Sequence, residues 1–116
     1  MAPEIADAPS SDAVLVAACA AARAAVAAYN AAAEHDKPGD VLSPLFERER
    51  LGLECVAVTS AQTARGVAAK AVLLEHYAAA TDGSEPSHEM VRVAFSLAED
   101  AVALAREMVG VSAPRA

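Results

Sequence analysis

The chain has 116 residues, of which 16 are acidic and nine are basic, giving a formal net charge of −7. The basic residues are scattered, which argues against direct binding to nucleic acid or to an anionic membrane surface. Hydrophobic residues make up 55% of the sequence, which excludes a disordered chain because disorder requires few apolar residues.

The apolar composition predicts an all-α fold, an antiparallel helical bundle of about four helices, two long and two shorter. Alanine, the best helix former, accounts for 32 residues, whereas two Phe, two Tyr and no Trp are too few for a sheet. A single domain is expected over residues 12–110, between a flexible tail at 1–11 and a second tail at 111–116. The first tail lacks the basic start and apolar stretch of a signal peptide.

The first predicted helix begins at Ser11 or Asp12, either of which can cap the N–H groups of a first turn, and it continues to about Ala33. Its larger side chains recur at the spacing of one helical face: Leu15, Cys19, Ala22, Val26, Tyr29 and Ala33. The segment is as long as a membrane span, but Arg23 near its centre is costly to insert and alanine offsets little of that cost. We therefore expect the helix in a protein core.

The polar segment 35–40 predicts a break, because it contains proline and glycine. A second helix is predicted to start at Ser43, which is followed by proline at the favoured first position, and to fade near Val58. Its charged run, residues 47–50, is interpreted as a solvated surface with local ion pairs.

The third predicted helix is capped by Thr63 and ends before Asp82. The fourth has Ser87 as its N-cap and Gly110 just past its end. Its apolar residues follow a 4-3-4-3-4 spacing that is typical of the core seam of a bundle: Met90, Ala94, Leu97, Ala101, Leu104 and Met108.

Two cysteines and two glycines lie within the helical patterns. Cys19 and Cys55 are interpreted as buried, reduced thiols, which favours a cytoplasmic location, and a disulfide between them is the alternative. Gly52 and Gly66 are interpreted as points of close helix–helix approach, the alternative being contact with a ligand.

No metal site, cofactor or catalytic residue is predicted. Glu85 and His88 have the Glu-x-x-His spacing of di-iron bundles, but a proline places Glu85 outside the helix and no second copy exists. His35 lies in a loop, and neither His76 nor His88 is followed by the lysine and glycine of a phosphotransfer histidine. No glycine-rich phosphate loop is present, so we do not expect an enzyme.

Two segments carry a resemblance to known proteins. Residues 59–71 read Thr-Ser-Ala-Gln-Thr-Ala-Arg-Gly-Val-Ala-Ala-Lys-Ala, and residues 95–100 read Phe-Ser-Leu-Ala-Glu-Asp. Over roughly residues 42–106 the chain resembles a group of small, uncharacterised, alanine-rich bacterial helical proteins, which pair a "TPA-T-x-x-G-x-x-A-K" turn and helix with an "SLA-x-D" helix. Ser60 stands where that pattern has proline. The resemblance implies the helix borders and a bacterial cytoplasmic origin, and it implies no activity.

The sequence therefore predicts a small acidic helical protein that acts through protein–protein contact, as an adaptor, a regulator or an accessory factor. The alternative is a module that holds a small apolar ligand between its helices. A homodimer through helix faces is also expected, because several larger apolar residues fall off the main stripes and would face water in a monomer. These residues are Val14, Val16, Leu51, Val58, Val93 and Val102.

Overall fold

The computed structural model of the protein describes residues 12–81 and 85–110, and both predicted tails lie outside them. Four helices account for most of the described residues: α1 (Ala13–Glu34), α2 (Gly39–Val58), α3 (Ala64–Thr81) and α4 (His88–Met108). No strand occurs within the described ranges, and the helices pack against one another. The predicted all-α helical bundle is confirmed.

Most helix ends follow their predicted signals. α1 begins directly after Asp12 and α3 directly after Thr63. At the start of α4, the Ser87 hydroxyl accepts a hydrogen bond from the N–H of Met90 at 3.1 Å. Beyond the other end of α4, Gly110 has a φ of +75°, the left-handed conformation for which glycine is suited.

The start of α2 differs from the prediction, because the helix begins at Gly39 and not at Ser43. Pro38 has extended backbone, and its carbonyl accepts hydrogen bonds from the N–H groups three and four residues further on, which closes the first turn. Pro44 consequently lies inside the helix, where it cannot donate to the preceding turn. The earlier start gives four helices of similar length, with 22, 20, 18 and 21 residues.

Helices that follow one another in sequence are not all neighbours in space. α1 packs against α2 and α3, and α4 packs against the same two helices. α1 and α4 therefore occupy opposite corners of the bundle, and so do α2 and α3. Residues 59–63, which we name the connector, cross one end of the bundle to join α2 to α3.

Contacts between helices give their directions. α1 and α2 are antiparallel, because the rings of Tyr29 and Phe46 lie 5.8 Å apart whereas Ala22 lies against Gly52. α1 and α3 start at the same end of the bundle, where Asp12 bonds to the connector, so they are parallel. α4 runs back toward the connector, antiparallel to α3 and parallel to α2.

The core forms where the four helices meet. Its buried residues come from every helix: Leu15, Cys19, Ala22, Val26, Leu53, Val56, Leu73, Tyr77, Met90 and Val93. The α1 members coincide with the face predicted from the sequence. α1 is also long and apolar enough to cross a membrane by length and composition; 28% of that apolar window is buried within the bundle.

The core face of α4 matches the predicted seam only in part: Met90 is buried, and Leu97 and Leu104 are half-buried. Three members of that seam are exposed: Ala94, Ala101 and Met108. From Met90, which belongs to the predicted seam, the buried line continues through Val93 and Asp100. The cause is Lys70 of α3, whose side chain is fully buried, because a buried charge requires a partner and Asp100 faces inward to supply it.

Two predictions about burial on α2 are also wrong. Cys55 is exposed, whereas Cys19 on α1 is buried as predicted. Glu49 is buried, although the charged run 47–50 was expected to be solvated. The expected local ion pairs do occur around it, since Arg50 lies 2.6 Å from Glu47.

Candidate functional site

The start of α3 is held by a carboxylate from the start of α1. Asp12 accepts hydrogen bonds from the backbone N–H groups of Gln62 at 2.9 Å and Thr63 at 2.8 Å, and from the Thr63 hydroxyl. Its side chain makes no hydrogen bond to cap α1, the helix it was predicted to cap. Asp12 therefore binds the last two connector residues, directly before α3, and holds the entry to that helix in place.

Gly66 makes room for this carboxylate. A Cβ on Gly66 would lie 2.8 Å from Cγ of Asp12 and 3.0 Å from Cβ of Ala61. The predicted close approach at Gly66 is thus to a charged side chain and not to a helix. At Gly52 the close approach is between helices, since a Cβ there would lie 3.6 Å from Cα of Ala22.

The hydrogen bonds around Asp12 control its ionisation. Burial acts to raise the pKa of Asp12, but the Thr63 hydroxyl and the N–H groups of Gln62, Thr63 and Gly66 favour the charged carboxylate and outweigh burial. The pKa of Asp12 is therefore held below its ordinary value. The folded protein carries this side chain as an anion with only 1% of its surface exposed.

A buried ion pair lies on the other side of the connector. Nζ of Lys70 is 2.5 Å from Oδ2 of Asp100 and 2.6 Å from the Ser96 hydroxyl. The same Oδ2 of Asp100 accepts the N–H of Ala61 at 3.0 Å. Asp100 therefore neutralises Lys70 and holds the connector at the same time.

These residues form one polar cluster at the end of the bundle: Asp12, Thr63, Gly66, Lys70, Ser96 and Asp100. Their polar atoms bond one another and the connector, and the charged members are buried. Burial also raises the pKa of the nearby Cys19 thiol, although the charges of Lys70 and Arg23 oppose that effect. The polar cluster therefore fixes the connector, whereas burial keeps the Cys19 thiol protonated.

The histidines are not brought together. Nδ1 of His35 lies 2.8 Å from the carbonyl oxygen of Ala31, at the end of α1. Nε2 of His76 is buried without a hydrogen-bond partner in the described part of the chain, and His88 is exposed at the start of α4. Across residues 12–81 and 85–110, no three ligand-type side chains are grouped as a metal site requires.

The outward face of α4 is apolar. Its residues, together with Val109 directly after the end of the helix, follow a 4-3-4-3-4 spacing and are all exposed. They are named here the α4 stripe: Val91, Phe95, Ala98, Val102, Ala105 and Val109. Phe95 is 67% exposed and Val102 is 50% exposed. A line of large apolar side chains on the solvent side of a helix indicates a surface for another macromolecule.

The two flanks of the α4 stripe differ in chemistry. One flank carries charges of alternating sign at seven-residue spacing: Arg92, Glu99 and Arg106. The other flank carries small or apolar residues: Ala94, Ala101 and Met108. Arg92 also approaches Glu54 of α2, at 3.8 Å, which is near the outer limit of an ion pair.

A second apolar feature lies between α1 and α2, at the end away from the connector. It is an open groove with a volume of about 460 Å³, lined by Tyr29, Leu42, Ser43, Phe46 and Glu47. The tilted rings of Tyr29 and Phe46 form part of its wall. Its volume is within the range of small-molecule sites.

The sequence contained a signal for the polar cluster. Thr63, Gly66 and Lys70 stand in the motif at 59–71, and Ser96 and Asp100 stand in the motif at 95–100. The structure brings the polar residues of both motifs together. The signal for the α4 stripe was weaker: among the predicted off-stripe residues Val102 is exposed, but Val93 is buried.

No family model, curated protein or solved structure matches the chain. The resemblance to alanine-rich bacterial helical proteins thus rests on the two motifs alone. The fold is defined by the packing of the four helices, and the candidate surfaces are defined by the exposure of the α4 residues and by the groove beside Tyr29.

Proposed function

We propose that this small acidic protein acts through protein–protein contact, as an adaptor, a regulator or an accessory factor, and that the α4 stripe is its contact surface. The observation that carries the proposal is the exposure of Phe95 and Val102 on one helical face. Aromatic side chains are enriched at protein interfaces, and the core of an interface is more apolar than the rest of a protein surface. The chain has a net charge of −7, which repels the phosphates of a nucleic acid, so a protein is the partner that we propose.

The polar cluster supports contact over catalysis. Lys70 and Asp100 are groups that could act in acid–base chemistry, but each is buried and bonded to the other. Asp12 is likewise committed to the backbone of the connector. We therefore assign these residues to holding the bundle together and propose no enzymatic activity.

We also propose a cytoplasmic location in a bacterium. Cys19 and Cys55 are both free thiols, and Cys55 is exposed. Exposed free thiols persist in a reducing compartment and are readily oxidised outside it.

Site-specific photocrosslinking in cells tests the contact surface. A photoreactive phenylalanine analogue is placed at Phe95, and a matched variant carries it at Phe46, which is 50% exposed on α2. We expect a discrete crosslinked protein from position 95, identified by mass spectrometry, and its loss when Val102 is replaced by serine. Equal crosslinking from positions 95 and 46 would contradict the proposal.

The second candidate is a module that binds a small apolar ligand, and the groove beside Tyr29 and Phe46 favours it. Titration with an environment-sensitive apolar dye tests this candidate. Saturable one-to-one binding that is lost in Phe46→Ser and retained in Phe95→Ser would support it. Weak binding without saturation would reject it.

A further inference from the structure

We infer that the α4 stripe binds a second copy of this chain, through a two-fold antiparallel pair of α4 helices. The inference rests on the proposed function, which assigns the stripe to protein contact, and it names the partner. Three features of α4 lead to it: the spacing of the stripe, the charges on one flank and the small residues on the other.

The spacing of the stripe is that of a helix pair. Alternating steps of four and three residues place Val91, Ala98 and Ala105 at one core position of a heptad, and Phe95, Val102 and Val109 at the other. The buried side of α4 already packs within the bundle, so this second line of core positions is available to another helix.

The charged flank selects the orientation. In an antiparallel pair each flank faces the same flank of the partner, so Arg92, Glu99 and Arg106 of one protomer meet those of the other. In a parallel pair they would meet the partner's Ala94, Ala101 and Met108 and would form no ion pair. Charge complementarity therefore favours the antiparallel arrangement.

The alternating signs restrict the register to two choices, in which the partner's Glu99 meets either Arg92 or Arg106, and the covering of Phe95 favours Arg92. With Arg92 beside the partner's Glu99, two-fold symmetry forms a second identical ion pair. Shifting the helices by one heptad would place Arg92 beside the partner's Arg106 and Glu99 beside the partner's Glu99, which is repulsive. The distant Glu54 leaves Arg92 able to make the new pair, because an exposed ion pair near 3.8 Å holds it weakly.

In the favoured register the apolar layers are complementary in size. Phe95 lies over the partner's Ala98, and Val91 lies over the partner's Val102, each twice by symmetry. Ala94 and Ala101 border these layers on the other flank, and their small side chains allow close approach of the backbones. This register covers Phe95, the largest exposed apolar side chain of the stripe.

Sedimentation analysis of the full chain, in reducing buffer from micromolar to submillimolar concentration, tests the inference. We expect the mass to rise toward twice the 11.8 kDa of one chain. Phe95→Ser should raise the dimer Kd at least about tenfold. Val72→Ser, a change at an exposed apolar residue of α3 that lies off the stripe, should leave the dimer Kd within about threefold.

Charge exchange tests the register. Arg92→Glu and Glu99→Arg should each raise the dimer Kd about tenfold, and the double variant should return it to within about threefold of wild type. Arg106→Glu should have little effect. If Arg106→Glu weakened the dimer and Arg92→Glu did not, the proposed register would be wrong. Circular dichroism melting confirms that each variant is folded.

The outcomes separate this inference from the proposed function. A wild-type mass that stays near 11.8 kDa at every concentration would overturn self-association. Photocrosslinking from position 95 to a different protein would still support the contact surface in that case. A dimer that is insensitive to Phe95→Ser would overturn the assignment of the α4 stripe to it.

Discussion

The connector end of the bundle buries charged side chains, whereas the outer face of α4 exposes apolar ones. At the connector, Asp12, Lys70 and Asp100 are buried with their polar atoms bonded. On α4, Phe95 and Val102 face solvent. The rotation of α4 that buries Asp100 together with Met90 and Val93 therefore leaves an apolar line on the outside.

The largest expected effect comes from breaking the buried ion pair. Asp100→Ala leaves Lys70 buried without its counter-charge, and should lower the free energy of unfolding by about 3–5 kcal/mol. Urea denaturation followed by circular dichroism measures it. Glu99→Ala, at the exposed neighbouring position, is the control and should change stability by less than about 0.5 kcal/mol. Equal losses in both variants would contradict the role of the pair.

The two interior glycines should respond to alanine with opposite signs. In Gly66→Ala the new Cβ displaces the Asp12 carboxylate from its hydrogen bonds, so we expect a loss of about 1–3 kcal/mol. Gly52→Ala meets only ordinary contact with Ala22 and gains helix propensity, so we expect a gain of up to about 1 kcal/mol. A gain in both variants, by thermal or chemical unfolding, would show that Asp12 has room to move.

Acid should weaken the hydrogen bonds that the Asp12 carboxylate accepts from the connector. Because the pKa of Asp12 is lowered in the folded protein, its contribution is present above the ordinary aspartate pKa and is lost as pH falls through the folded value. Asp12→Asn should therefore cost about 1–2 kcal/mol at neutral pH, and this cost should shrink in acid. Asp40→Asn, on the exposed start of α2, is the control for unfolding measured against pH.

Glu49 should show the opposite pH dependence. Burial and the nearby charge of Glu89 raise the pKa of Glu49, so its contribution to stability is present at low pH and is lost as pH rises. Glu49→Gln should stabilise the protein at neutral pH by up to about 1 kcal/mol, with no advantage in acid. Unfolding curves at the two pH values that showed a constant difference would reject this explanation.

The smallest effect on folding is expected on the α4 stripe. Phe95→Ser removes an exposed side chain, so the free energy of unfolding measured at low protein concentration should change by less than about 0.5 kcal/mol. A loss similar to that of Asp100→Ala would mean that Phe95 supports the fold of the single chain, and it would remove the contrast between the two regions.

Local signals predicted most of the fold. The caps at Thr63 and Ser87, the glycine at Gly110 and the apolar face of α1 each depend on residues within a few turns, and the structure has them where the sequence indicated. The start of α2 was misplaced because Ser43-Pro44 is a strong start signal, while Pro38 supplies an earlier one.

The rest required contacts between distant segments. The buried face of α4 could not be chosen from the spacing of its own residues. Beyond Met90 the predicted and the observed lines are offset by one position, and the buried Lys70 of α3 favours the line that contains Asp100. Asp12 looked like the cap of its own helix, and only the arrangement of α1 beside α3 directs its carboxylate to the connector. Hydrogen bonds and ion pairs between segments that are far apart in the sequence leave no periodic residue pattern from which they could be predicted.

The connector joins α2 to α3 across opposite corners of the bundle, and this affects the order in which the chain can fold. α1 and α2 can pair as a local hairpin, but Asp12 bonds to Thr63, which lies 51 residues further along the chain and directly before α3. Chains synthesised from the N-terminus therefore expose this carboxylate to water until α3 has emerged. Asp100, the partner of Lys70, is synthesised a further 30 residues after Lys70. A chain that stalls before residue 100 lacks the carboxylate that neutralises Lys70 and binds Ala61, so α4 has to emerge before α3 and the connector are fixed.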